Sequence, residues 1–167
     1  SYAGAEGIRE AFSKCSDILS NFRMVEEKKI IEKLFQEINT NTGLGSYGLK
    51  EVIEMLKNNI AKTIIISDDI NMSRIEKTCK RWSNINDALT EQGERIERKT
   101  EMKSQPCSEC KAMDSEIIDQ DLIDYIALNA AQTGTKVEVV SGKTEHGTML
   151  GSLGNIAAIL RYNPNRV

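Results

Sequence analysis

Lys62-Thr63-Ile64-Ile65-Ile66-Ser67 holds three consecutive isoleucines with no polar residue between them. A strand with one face in water alternates apolar and polar residues. This run has no polar face, so it predicts a central strand covered on both sides. The residues before it, Leu49, Val52, Ile53 and Leu56, recur at helical spacing, and Asn58-Asn59 ends that helix. Ser46-Tyr47-Gly48 is expected to open it. A helix leading into a doubly buried strand points to an α/β layer structure.

Further upstream, Ile8, Ala11, Phe12, Cys15, Ile18 and Leu19 predict an amphipathic helix over residues 7–20. Asn21 can cap a second helix, whose stripe is Met24, Ile31, Leu34, Phe35 and Ile38. Asn39 to Gly45, rich in Asn, Thr and Gly, supplies its stop. Downstream, residues 72–82 are read as an exposed strand. From Ser83 to Glu116 Glu, Lys, Arg, Ser, Asn and Gln dominate, a composition that buries little apolar surface and reads as a small solvated insertion.

Regular structure is expected to return at Asp119, with a helix over 119–133 that is apolar almost all round and closed by Gly134. A strand over Lys136 to Ser141, a short helix over 145–153 capped by Thr144, and a last strand over Ala157 to Tyr162 follow. This order predicts a three-layer α/β/α sandwich with a mixed, partly parallel sheet and a small polar inserted minidomain. The core is expected over 1–71 and 117–167, the insertion over 72–116.

The chain has 167 residues, a formal net charge of −3 and only 5% aromatic residues. Phosphate contacts demand basic surface, so mild acidity argues against nucleic-acid binding over the whole surface. Arg95, Arg98, Lys99 and Lys103 form one basic cluster, but Glu94, Glu97 and Glu101 dilute it, and it reads as a charged solvated hairpin. No stretch approaches the ~18 apolar residues of a membrane helix. The opening Ser1-Tyr2-Ala3-Gly4 lacks a signal peptide's basic region and apolar run, and without an initiating Met the chain reads as a fragment of something longer. A cytoplasmic location is expected.

Candidate chemistry is sparse. Cys107-Ser108-Glu109-Cys110 has the spacing of half a zinc site, and Cys79 is the obvious third ligand. Trp82 stands where the partner of Cys79 would be, and His146, the sole histidine, lies far along the chain. A closed structural zinc site needs four ligands, so the expected cofactor is none. His146 beside Glu145 has no triad geometry, since neighbours on a helix point in different directions. Gly147, Gly151 and Gly154 match no phosphate-loop spacing and are read as packing and helix-end glycines. No nucleophile, base and oxyanion donor come together, so no catalytic residue is expected and the chain is read as a non-enzyme.

Several stretches resemble one family. Asp17-Ile18-Leu19-Ser20-Asn21-Phe22-Arg23-Met24-Val25-Glu26-Glu27-Lys28-Lys29-Ile30-Ile31, then Tyr47-Gly48-Leu49-Lys50-Glu51-Val52, and finally Gly151-Ser152-Leu153-Gly154-Asn155-Ile156-Ala157-Ala158-Ile159-Leu160-Arg161-Tyr162 are similar to the C-terminal domain of archaeal and eukaryotic class 1 peptide chain release factors. The resemblance implies an α/β/α core related to proteins that bind kinked RNA, with an inserted minidomain. It implies docking of a translational GTPase of the elongation-factor family, later of an ABC-type recycling ATPase, and ribosome contact through the full-length factor. The family's Gly-Gly-Gln and Asn-Ile-Lys-Ser motifs are absent here, so neither peptidyl-tRNA hydrolysis nor decoding carries over. Archaeal members commonly have two Cys-x-x-Cys pairs, one of whose cysteines is Trp82 here, and Gly154-Asn155 stands where the family has Gly-Gly, which implies a turn built slightly differently. The Pelota rescue factor shares the domain and is the alternative, as is a kinked-RNA-binding module.

A docking domain needs an apolar patch. Ile30, Ile31, Leu34, Phe35 and Ile38 spread over about 140° of the helix at about 100° per residue, more than one core face needs. Leu34, Phe35 and Ile38 are therefore the expected partner contacts.

Overall fold

The computed structural model describes residues 2–79, 84–107, 111, 113 and 115–164. The isoleucine run lies in β2 (Ala61–Ser67), which is interior to a four-stranded sheet. Its neighbours are β7 (Ile156–Leu160), antiparallel, and β6 (Lys136–Val140), parallel, with β1 (Gly45–Tyr47) outside β7. Ile64, Ile65 and Ile66 are all fully buried. Ile64 and Ile66 join Val52, Leu56, Leu122, Ile126 and Ile156 on one face, beneath α2 (Leu49–Lys57) and α4 (Leu122–Thr133). Ile65 joins Ile31, Leu34, Val140, Leu150 and Ala157 on the other, beneath α1 (Tyr2–Asn39) and α5 (Glu145–Gly151). The expected three-layer α/β/α sandwich with a mixed, partly parallel sheet is thus present.

The largest difference from the sequence reading is at the N-terminus. The two expected helices, 7–20 and the one capped by Asn21, are a single helix of 38 residues. Asn is a mediocre helix former but costs only a few tenths of a kcal/mol more than its neighbours, and no Gly or Pro follows to stop propagation. Of Ser46-Tyr47-Gly48, the first two residues end β1, and Gly48, at φ 92°, is the N-cap that opens α2 as expected. The helix expected from Asp119 begins at Leu122, because residues 115–121 form β5 (Ser115–Asp121), whose last residue caps α4 by accepting from the Ile123 N–H at 2.8 Å. Gly134 closes α4 in the left-handed region, and Arg161 binds that end through the Thr133 and Gly134 carbonyls.

Residues 72–121 build a second sheet, ordered β4 (Asn84–Glu91), β3 (Met72–Cys79), β5, with α3 (Arg95–Ser104) against it. β3 is central here rather than exposed, and Ser73, Ile75, Lys77 and Cys79 are buried along one face. The basic cluster is on α3, not a hairpin. Arg95 and Lys99 donate to the Asp119 carboxylate at 2.6 and 2.9 Å, pinning α3 to β5. Burial pushes the Asp119 carboxyl up, but the Lys99 and Arg95 hydrogen bonds outweigh it and hold it below the ordinary carboxylate range. Lys77, only 7% exposed, donates to the carbonyls of Met102 and Gln105 at the C-terminus of α3, where unpaired carbonyls welcome a cation. Polar pairing replaces apolar burial in this layer, which is how a segment poor in apolar residues folds.

The opposite face of this sheet meets the core. Arg74 lies 4.4 Å from the Tyr125 ring centroid, pairs with Glu76, and reaches Asp87 at 3.2 Å. Lys57 of α2 shares Asp87 at 3.2 Å.

Candidate docking surface

Of the expected contact residues, Leu34 is fully buried against Ile65, so it belongs to the core. Phe35 and Ile38 are half-buried and pack at the rim of the same cluster. Those three are brought together, but chiefly on the sheet. The exposed apolar residues of α1 lie nearer its N-terminus: Ile18, Leu19, Phe22, Met24 and Val25, with Phe22 64% exposed. Every residue from 14 to 26 is exposed, so this half of α1 stands off the sheet.

The reason lies in the helical repeat. At about 100° per residue, Cys15, Ile18, Leu19 and Phe22 centre roughly 140° away from Ile31, Leu34 and Ile38. One straight helix cannot press both stripes on one sheet. The C-terminal stripe takes the core and the N-terminal stripe is left outward. Met24 and Val25 sit where the stripes exchange. There, with Lys28, Thr144 and His146, they line a groove of about 210 Å³ between α1 and the start of α5. That is below the ~300–1,000 Å³ of small-molecule pockets, and suits one inserted side chain. Met149 of α5 is also exposed. The sequence signal for this site was the phase change of the apolar stripe near Asn21, which looked like a helix break.

A family model described as eRF1 domain 3 matches residues 24–164. The chain belongs to the eRF1 domain 3 family. It is 34% identical over 164 residues to peptide chain release factor subunit 1 of Methanobrevibacter smithii, covering 98% of this chain and 39% of that protein. The chain therefore spans about two-fifths of the length of this curated relative. The C-terminal domain of a peptide chain release factor from Methanosarcina mazei has the same fold, with a TM-score of 0.81, 23% identity and 96% of both chains covered. Pelota of Archaeoglobus fulgidus matches at a TM-score of 0.54 and 22% identity, over 88% of this chain and 32% of that one. The turn after α5 keeps both residues left-handed, Gly154 at φ 89° and Asn155 at φ 63°. Asn is the residue besides Gly that adopts this region most readily.

The zinc site weighed from the cysteine spacing finds a partial donor set. Cys79 ends β3 at 3% exposure and Cys107 follows α3 at 7%. Among the described residues no three His, Cys, Asp or Glu side chains converge. Cys110 and Trp82 lie outside the described residues. The two thiols among the described residues do not by themselves make the four-ligand shell of a structural zinc site. Purified protein should hold well under one zinc per chain by elemental analysis after dialysis against a weak chelator, and Trp82→Cys should raise that content. One zinc per chain in the unaltered protein would overturn this expectation. His146, half-buried at the start of α5, lines the α1–α5 groove. Among the described residues no helix is long and apolar enough to cross a membrane.

Proposed function

We propose that this chain is the partner-docking domain of a class 1 peptide chain release factor, acting in stop-codon-dependent termination in the cytoplasm. Its work is to hold a translational GTPase of the elongation-factor family and, after release, an ABC-type recycling ATPase. It performs no catalysis of its own, and residues 72–116 serve as a minidomain inserted in the docking core. The observation that carries the docking role is the standing apolar surface of α1. Met24 and Val25 are 56% and 49% exposed beside the α5 groove, although the same helix supplies fully buried Ile31 and Leu34 to the core. Exposed large apolar residues around a small groove are the usual anchor of a protein contact. Family membership and 34% identity to a release factor subunit support reading such a contact as one made in termination. Phe35 and Ile38 would form its C-terminal rim.

The test is a titration of the chain with the translational GTPase. Met24→Ala and Val25→Ala should each weaken binding at least tenfold, about 1.4 kcal/mol, with the circular dichroism unchanged. Two folded variants that bind as the parent does would defeat the assignment.

A further inference from the structure

β6 is an edge strand of the four-stranded sheet. It pairs in parallel with β2, Ile65 opposite Glu138 and Ser67 opposite Val140. The Val140 carbonyl accepts from the Asp68 N–H at 3.0 Å, so Val140 turns its backbone groups to β2. Successive residues of a strand turn these groups to opposite sides. Val137 and Val139 therefore present theirs to the open edge, the arrangement that accepts another strand.

This edge has a roof. α1 crosses the sheet above Ile65 and Val140 and continues with residues 14–26 exposed. At about 1.5 Å per residue that stretch is roughly 18 Å long, while one added strand needs about 4.8 Å. Phe22, Arg23, Glu26, Glu27 and Ile30 of α1 form a groove with Glu138, Val139 and Val140 of β6. By the helical repeat, Asp17, Ser20 and Glu27 lie on the side of α1 that faces the sheet further along. The roof is mixed: Phe22 and Ile30 are apolar, and its charges are Asp17, Glu26 and Glu27 against Arg23, with Glu26 4.0 Å from Lys29 and Glu138 paired with Lys136 at 2.5 Å. The acidic excess lies on α1, and an acidic strand would be repelled there.

We propose that the β6 edge binds an extended segment of a partner protein that adds as a fifth strand beneath α1, with Lys or Arg side chains toward the helix and apolar ones toward the α4 side, where Val137 packs and Val139 is 39% exposed. Backbone pairing to Val137 and Val139 supplies affinity, and the carboxylates of α1 select for basic residues. This surface lies on the other flank of α1 from Met24 and Val25, with Glu27 between the two. It stands independently of the GTPase contact.

The probe is a capped seven-residue peptide of alternating lysine and valine, titrated into the 15N-labelled 167-residue chain. The Val137 and Val139 amides should shift and gain exchange protection. Glu27→Lys with Glu138→Lys should weaken binding at least tenfold. Val139→Pro, which deletes an outward N–H while leaving the β2 ladder intact, should abolish it. A peptide N-methylated on alternate residues should fail against the unaltered chain, which keeps the test decisive if Val139→Pro does not fold. A glutamate–valine peptide should not bind. No binding at millimolar lysine–valine peptide, equal binding by the N-methylated peptide, or shifts confined to other surfaces would overturn the proposal.

Discussion

Replacing Ile65 by alanine should lower the stability of the domain by about 3 kcal/mol, read as a shift of the urea midpoint at unchanged slope. Ile65 is fully buried between Ile31, Leu34, Val140 and Ala157, and its strand has neighbours on both sides. The sheet backbone is held by β6 and β7, so it cannot close over the lost methyls, and the cavity cost adds to the lost transfer energy. Ile64→Ala should cost a similar amount through the opposite face, where Leu122 and Ile126 pack. A loss under 1 kcal/mol at Ile65 would mean that the second face is open to water.

Gly147→Ala should destabilise by about 3 kcal/mol, although alanine is the better helix former by about 1 kcal/mol. Gly147 lies inside α5, and propensity alone predicts stabilisation. The tertiary contact decides the sign. A Cβ there would stand 2.0 Å from the Ser141 carbonyl oxygen and 2.8 Å from the Gly142 Cα, both backbone atoms. They are held in place, since Asp68 accepts from the Gly142 N–H at 2.8 Å and Thr144 bonds the Ser141 carbonyl at 2.9 Å. The alanine must push α5 off the sheet and disturb Leu150, which is fully buried in the core. Thermal denaturation measures the effect, and a variant as stable as the parent would show that α5 shifts freely. By contrast Gly151→Ala should be near neutral, its nearest neighbour being the Asn155 side chain at 3.5 Å.

The docking surface was only half legible. Apolar surplus was visible on the helix around Ile30 to Ile38, which became part of α1, and on the helix over 119–133. The face was not. Leu34, Phe35 and Ile38 share helical spacing with Ile31, and periodicity reports that residues share a side without saying what covers it. The break read at Asn21 hid the roughly 140° change of stripe that leaves Ile18, Leu19 and Phe22 outward. The inserted segment shows a similar limit. Its scarcity of apolar residues was read as solvated structure, yet Lys77, Arg95 and Lys99 fold it through paired charges and carbonyls. Such pairs join residues twenty or more positions apart, beyond any local pattern.

What the sequence determined by itself is the sandwich. Three isoleucines without a polar face require cover on both sides, and the alternation of helix and strand from Asp121 to Leu160 supplies the layers. The caps at Thr144 and Gly134 were equally local, because capping depends on one side chain or one φ angle. Only the tertiary structure decided which half of α1 enters the core, that β6 is left as an edge, and that Gly147 has no room for a methyl group. Each of these depends on where a distant element lies, and the sheet's length and strand order set that, not the residues on either side.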